Sequence, residues 1–151
     1  MGVYNAEIFS MNNRSKIAEY APIVLRFGLV FLFLWFGISQ ITGPDSWTSW
    51  VPEWGNSIFG LGAAKLVILN GWFETIGGLL LALGLWTRWV ALLLSLHLFL
   101  IAYEVGYNDI GARDFVLAIS ALAVSFFGPD RFSLDNRVKD IQSATLHEHA
   151  R

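Results

Sequence analysis

Four long apolar stretches, separated by short polar breaks, dominate the pattern along the chain. They span about residues 21–41, 61–86, 88–107 and 109–127, and the last is continuously apolar only over its final 13 residues. A helix needs roughly 20 mostly apolar residues to cross the hydrocarbon core of a bilayer. The pattern therefore predicts four membrane-spanning segments.

Lipid cannot satisfy backbone N–H and C=O groups, so a lipid-exposed segment of this kind has to be a helix. The composition agrees, because 55% of residues are hydrophobic, 15% are charged and the mean hydropathy is +0.53. A soluble domain of 151 residues has too little interior to bury this much apolar surface. We expect one all-α domain over residues 20–133, an integral membrane bundle of four transmembrane helices.

Small residues on two of the segments predict close helix contacts. Their spacing resembles the small-xxx-small pattern of membrane helix pairs. They are Gly77, Gly78 and Ala82 on the second segment, and Ala118, Ala121 and Ser125 on the fourth.

The distribution of Lys and Arg predicts the orientation in the membrane. With four spans, one side holds seven basic residues and the other holds only Lys65 and Arg113. Basic loops stay in the cytoplasm. We therefore expect a multi-pass plasma (inner) membrane protein with both termini cytoplasmic. The N-terminal segment 1–19, which lacks a signal-peptide pattern, and the tail 134–151 then lie on the cytoplasmic side. The loop 42–60 then faces the periplasm. The seven residues are Arg14, Lys16, Arg88, Arg131, Arg137, Lys139 and Arg151.

Three tryptophans in the loop 42–60 share one helical face. Trp47, Trp50 and Trp54 recur at spacings of three and four residues. Tryptophan prefers the membrane–water boundary, so an interfacial anchor is the favoured interpretation. A lid over a ligand site is the alternative.

The few polar residues within the apolar segments carry the most information, because a charge at bilayer depth is costly. Glu74 and His97 lie near the middle of the second and third segments, at similar depth. Asn70 lies one turn from Glu74, and Glu104 two turns from His97, each on the same helical face. We expect a polar pocket in the outer half of the bundle. Its candidate residues are Gln40, Asn70, Glu74, His97, Glu104 and Arg113.

Purely structural roles are the competing interpretation. Polar groups in a membrane pair with one another whatever their purpose, and His97 alone is more often a hydrogen-bonded core residue. Asp109 and Arg113 are four residues apart and would form a local pair. Lys65 is expected to extend towards the headgroups. Arg26 either does the same or caps an anionic group inside the bundle.

Several kinds of chemistry are excluded or disfavoured. The chain has no cysteine, which excludes disulfides, thiolate metal sites and iron–sulfur clusters. The net charge of -2 gives no basic excess for nucleic acid. His147 and His149 flank Glu148 without sharing a helical face, so we expect no metal site. No phosphate-binding loop, nucleophile elbow or zinc-protease motif occurs.

Four segments together resemble the DoxX/DoxD family of small four-helix membrane proteins. They are LRFGLVFLFLWFGISQI, ETIGGLLLALGLWTRWVALLLSLHLFL, RDFVLAISALAVSFFGPD and the RFSLD that follows. The resemblance covers roughly residues 20–135. The family takes its name from subunits of a thiosulfate:quinone oxidoreductase, and other members resemble components of oxidative- or thiol-stress complexes.

The resemblance implies a quinone-interacting membrane subunit of an oxidoreductase, with quinone as the non-covalent cofactor. Glu74 and His97 would then supply protons, and Gln40, Asn70, Glu104 and Arg113 would form the polar part of the binding pocket. Arg113 or Lys65 would attract an anion such as thiosulfate. The bilayer is the first expected partner and a further oxidoreductase subunit the second, while self-association and enzymatic activity are left open.

The main alternative is a non-catalytic membrane anchor or scaffold of a stress-response complex. A small transporter is the third hypothesis. Four short helices without a pair of broken helices argue against it.

Overall fold

The computed structural model describes residues 18–55, 60–138 and 141–142, and no strand occurs among them. Four long α-helices make up the bundle, and a short 3₁₀ helix over Pro44–Trp50 joins the first two. This confirms the predicted all-α fold. The four are α1 (Ala21–Thr42), α2 (Ala63–Leu83), α3 (Thr87–Val105) and α4 (Asp109–Phe127).

All four helices are long and apolar enough to cross a membrane. The mean hydropathy of their most apolar 18-residue windows is 1.5 to 2.1, and only 28–33% of each window is buried inside the protein. Many of their large apolar side chains therefore face outward, including Phe31, Trp89 and Leu100. Such a surface is unfavourable in water and is matched by acyl chains. The chain is a multi-pass membrane protein.

A glycine follows the end of each of the four helices, and three of these glycines, Gly84, Gly106 and Gly128, have a positive φ. Gly84 takes a left-handed conformation (φ 64°) after α2, and the N–H of Leu85 bonds to the carbonyl of Leu80 at 3.0 Å. This is the hydrogen bond of a Schellman C-cap. The turn through Trp86 (φ 48°) ends the second helix at Leu83, before the predicted residue 86. The third helix begins at Thr87 and ends at Val105, before Gly106 and the predicted residue 107.

The fourth helix occupies the predicted 109–127. Asn108 is its N-cap, since its Oδ1 accepts hydrogen bonds from the N–H groups of Ile110 and Gly111, both at 3.0 Å. Gly128 ends it with a φ of 76°.

Helices α1 and α2 cross at two facing glycines. A Cβ built on Gly37 would lie 2.7 Å from the carbonyl oxygen of Gly71, and a Cβ on Gly71 would lie 2.7 Å from that of Gly37. No larger residue fits without separating the helices. The predicted small residue Gly78 contacts α1 as well, and Gly77 contacts Leu94 of α3.

Helices α3 and α4 form the second close pair. Ala118 and Ala121 are fully buried, and the hydroxyl of Ser95 donates to the carbonyl of Ala118 at 2.8 Å. The Ser125 hydroxyl donates to the carbonyl of Arg88 at 2.9 Å. Small residues on α4 therefore allow the close packing that their spacing predicts.

Arg26 is buried against the segment that follows α4. It is 1% exposed, and its guanidinium donates to the Asp130 carboxylate at 2.7 and 3.2 Å and to the carbonyls of Leu81 and Ala82 at 2.6 and 3.0 Å. The expectation that Arg26 extends to the headgroups is wrong, and its alternative, an anionic partner inside the bundle, is correct. The reason is that Asp130 and two backbone carbonyls at the end of α2 satisfy the guanidinium within the protein.

Asp135 caps the start of α3. Its carboxylate accepts from the N–H groups of Trp86 and Thr87, both at 2.9 Å, and from the Thr87 hydroxyl at 3.0 Å. Through Asp130 and Asp135, the segment after α4 thus bonds to Arg26 of α1, to the carbonyl of Gly84 at the end of α2 (3.1 Å) and to the start of α3.

The two ends of the bundle differ in packing. The turn end, around Gly84–Trp86, is filled by an apolar core from all four helices that includes Phe33, Leu81, Leu94 and Val124. The loop end, around the 3₁₀ helix Pro44–Trp50, encloses a cavity. The candidate functional residues lie there.

Candidate functional site

A cavity of about 570 Å³ occupies the loop end of the bundle, and all four helices contribute to its walls. This volume is in the range of small-molecule sites. Most of the lining is apolar, as is typical of such sites. The polar side chains in it are Gln40, Asn70, Glu74, His97, Glu104, Arg113 and Asp114.

Four of these residues form one hydrogen-bonded network around Glu74, which is only 3% exposed. Its Oε1 accepts from the Asn70 amide at 3.0 Å and lies 3.2 Å from Nε2 of His97. Its Oε2 accepts from the Gln40 amide at 3.2 Å. The Asn70 amide also donates to Oε1 of Gln40 at 2.8 Å, which closes the network.

The glycine crossing of α1 and α2 positions this network. Gln40 lies one turn beyond Gly37, and Asn70 and Glu74 flank Gly71 on the facing helix. A Cβ on Gly71 would come within 3.0 Å of Gln40 Cβ. The amide of Gln40 reaches Asn70 and Glu74 because the two backbones touch at this point.

The other charged residues sit nearer the mouth. Arg113 donates to the buried Asp114 carboxylate at 2.9 Å instead of forming the predicted local pair with Asp109. Glu104 lines the cavity but is exposed, and it makes no bond to the network. Lys65 is exposed and is not part of the lining.

The charge balance of the lining does not suit a free anion. Three carboxylates, those of Glu74, Glu104 and Asp114, stand against the single guanidinium of Arg113, which is already paired. An ion such as thiosulfate would be repelled by this net negative lining. A neutral ligand with hydrogen-bond acceptors fits the lining better.

All six predicted site residues therefore line one cavity, and four of them bond to one another. Gln40, Asn70, Glu74 and His97 form the network, while Glu104 and Arg113 stand apart from it. Asp114, beside Arg113 at the start of the fourth segment, joins them in the lining.

The three tryptophans of the loop also line the cavity. Trp47 packs edge-on against Phe36, with ring centroids 5.5 Å apart, and Trp50 and Trp54 are partly exposed. Both interpretations, the interfacial anchor and the lid over a ligand site, stay predictions. Trp47 and Trp50 lie on the 3₁₀ helix, which ends before the extended Val51, so Trp54 lies beyond that helix and does not share its face.

Within the described residues, no group of three or more His, Asp or Glu side chains is placed to hold a metal ion. His147 and His149 lie outside the described part of the chain, as do residues 1–17 and most of the tail.

The fold and the site define a four-helix membrane protein with a buried polar network at the closed end of an intramembrane cavity. The family model for DoxX matches residues 21–106, which is more than half of the chain. The chain belongs to the DoxX family, and the resemblance predicted from sequence is confirmed. The match spans α1 to α3 and does not include α4. Neither the search of curated proteins nor that of solved structures returned a match.

Proposed function

We propose that this DoxX protein binds a quinone in the loop-end cavity and serves as the quinone-interacting membrane subunit of an oxidoreductase. The observation that carries the proposal is the closed hydrogen-bonded network of Gln40, Asn70, Glu74 and His97. Ionisable groups inside a membrane-spanning region are costly and commonly mark functional sites. Here they end an apolar-walled cavity of suitable volume.

The residues present fit a quinone headgroup, which is a flat apolar ring with two carbonyl acceptors. Gln40 uses one amide N–H for Glu74, and its second N–H has no partner among the described residues. The same is true of Nδ1 of His97. The rings of Phe36 and Trp47 offer apolar faces for the ligand ring. When bound, a quinone accepts two electrons and two protons.

Glu74 and His97 together can hold and release a proton without breaking their contact. With the imidazole doubly protonated, Nε2–H donates to Glu74 and Nδ1–H is available to a ligand carbonyl. Release of the Nδ1 proton leaves the neutral tautomer in which Nε2–H still donates to the carboxylate. Its contact with Nε2 means that Glu74 fixes which ring nitrogen is left for the ligand.

A binding comparison tests the proposal. The protein in lipid nanodiscs is titrated with a short-chain benzoquinone, and His97→Phe is compared with the wild type. Phenylalanine keeps a similar ring and removes the donor. Loss of a hydrogen bond to a charged group costs about 1.5–3 kcal/mol, so we expect about tenfold weaker binding or more. Equal affinity of the two proteins would contradict the proposed site.

A second assay separates catalysis from scaffolding. The protein is purified in mild detergent with whatever subunit accompanies it, and quinone reduction by the complex is measured for wild type and Glu74→Gln. Loss of reduction in an intact complex supports the oxidoreductase proposal. Unchanged reduction removes Glu74 from the mechanism. Loss of assembly, with no quinone bound by the wild type, supports the non-catalytic anchor instead.

A further inference from the structure

A second, shallower cavity of about 300 Å³ lies between α2 and α3. Its lining consists of Leu66, Leu69, Asn70, Phe73 and His97. Leu66, Asn70 and His97 line the main cavity as well. These three residues are therefore the wall between the two cavities.

This side cavity opens on the face of the bundle that meets lipid. Leu69 is 55% exposed and Phe73 is 42% exposed. Near the turn end, α2 and α3 are in close contact, because a Cβ on Gly77 would lie 2.8 Å from Leu94. The boundary between α2 and α3 is the seam. Toward the loop end, two contacts cross it: the ring of Phe73 packs on that of His97, with 4.8 Å between centroids, and His97 bonds to Glu74.

We propose that this seam is a lateral portal and tail-binding groove for an amphiphile dissolved in the bilayer. The ligand class is a carbonyl-bearing headgroup on a long isoprenoid or alkyl chain. The headgroup lies at the polar network, and the chain leaves through the groove of Leu66, Leu69 and Phe73 into the acyl chains. This inference rests on the proposed function and adds the direction from which the ligand enters.

The seam is the exit that suits an apolar chain. The tryptophan-lined end of the main cavity, at Trp47, Trp50 and Trp54, lies beyond the end of α1. A long chain leaving there would pass out of the membrane-spanning helices into polar surroundings. A chain in the groove stays within the hydrocarbon layer, where it costs no hydration. Phe73 is 42% exposed and packs on His97 across the seam, so its ring is the side chain that has to move for the seam to widen.

The experiment compares two probes on matched variants in nanodiscs. The probes are a benzoquinone with a decyl chain and the same headgroup without a chain, and binding to empty discs of the same lipid is subtracted. Leu69→Trp fills the groove. Leu79→Trp is the control, because Leu79 is 50% exposed on the same helix and lines neither cavity.

In the wild type we expect the decyl probe to bind about tenfold more tightly than the chainless one. Leu69→Trp removes most of this advantage and leaves the chainless probe unaffected, while Leu79→Trp changes neither. Phe73→Ala, which widens the seam, speeds association of the decyl probe. This second variant keeps the test decisive if Leu69→Trp folds poorly.

Two failures are distinguishable. If Leu69→Trp and Phe73→Ala bind the decyl probe as the wild type does, the portal is wrong and the quinone site stands. If the wild type binds neither probe saturably, the proposed function fails and the portal fails with it.

Discussion

Replacing Arg26 with methionine tests whether the buried ion pair with Asp130 holds the C-terminal segment to the bundle. The substitution keeps much of the side chain's apolar length. It removes two hydrogen bonds to Asp130 and two to the last carbonyls of α2. The Asp130 side chain, 5% exposed, then remains as a buried charge without its cation.

The expected loss follows from the cost of an uncompensated buried charge. Breaking such a pair by removing one partner costs about 3–5 kcal/mol. Asp130 keeps one hydrogen bond, from the N–H of Phe132 at 2.9 Å, so we expect the lower end, about 3 kcal/mol. At about 2–4 °C per kcal/mol for a chain of this size, the unfolding temperature falls by about 6–12 °C.

The assay is thermal unfolding in a mild detergent, followed by the fluorescence of the seven tryptophans. Arg131→Met is the matched control, because Arg131 is exposed and stacks on Tyr20 at 4.1 Å, a contact worth about 0.5–1 kcal/mol. Adding Asp130→Asn to Arg26→Met should restore part of the loss by removing the stranded charge. A shift for Arg26→Met no larger than that of Arg131→Met would refute the reasoning.

Three further predictions concern the crossing, the cap and the network. Gly37→Ala should lower stability by about 1–3 kcal/mol, because its Cβ would meet backbone atoms of α2. Gly28→Ala is the control and should be neutral or stabilising, because the space around its Cβ is open. Thermal unfolding of both variants checks this. Asp135→Ala should cost about 1 kcal/mol by removing the cap of α3, and hydrogen exchange at Thr87 would show no change if the cap were unimportant. Glu74→Gln should abolish quinone reduction while the melting temperature changes by only a few degrees, and a variant that is both fully active and fully stable would exclude a role for the carboxylate.

The helices were predictable because the membrane imposes a simple rule on the sequence. Apolar length fixes the number of spans, and Gly84, Gly106 and Gly128 end them where the chain must turn. The convergence of six polar residues on one cavity was predictable for a related reason. Polar side chains in lipid have to point inward, so those at similar depth meet.

The remaining features depend on contacts that local pattern does not encode. Arg26 and Asp130 are 104 positions apart, and nothing in either segment's periodicity indicates the pair. The Gly37–Gly71 crossing is hidden because glycine is common in membrane helices. Glu104 shares a face with His97, but it lies in the last turn of α3, where the bundle no longer encloses it.

The central claim is that the network around Glu74 and His97 holds a membrane-soluble quinone. The most direct test is extraction and mass-spectrometric quantification of the quinone that copurifies with the protein in mild detergent, for wild type and His97→Phe prepared in parallel. We predict quinone in an amount comparable to the protein for the wild type and a large loss for the variant. Equal amounts in both samples, or none in the wild type, would contradict the account.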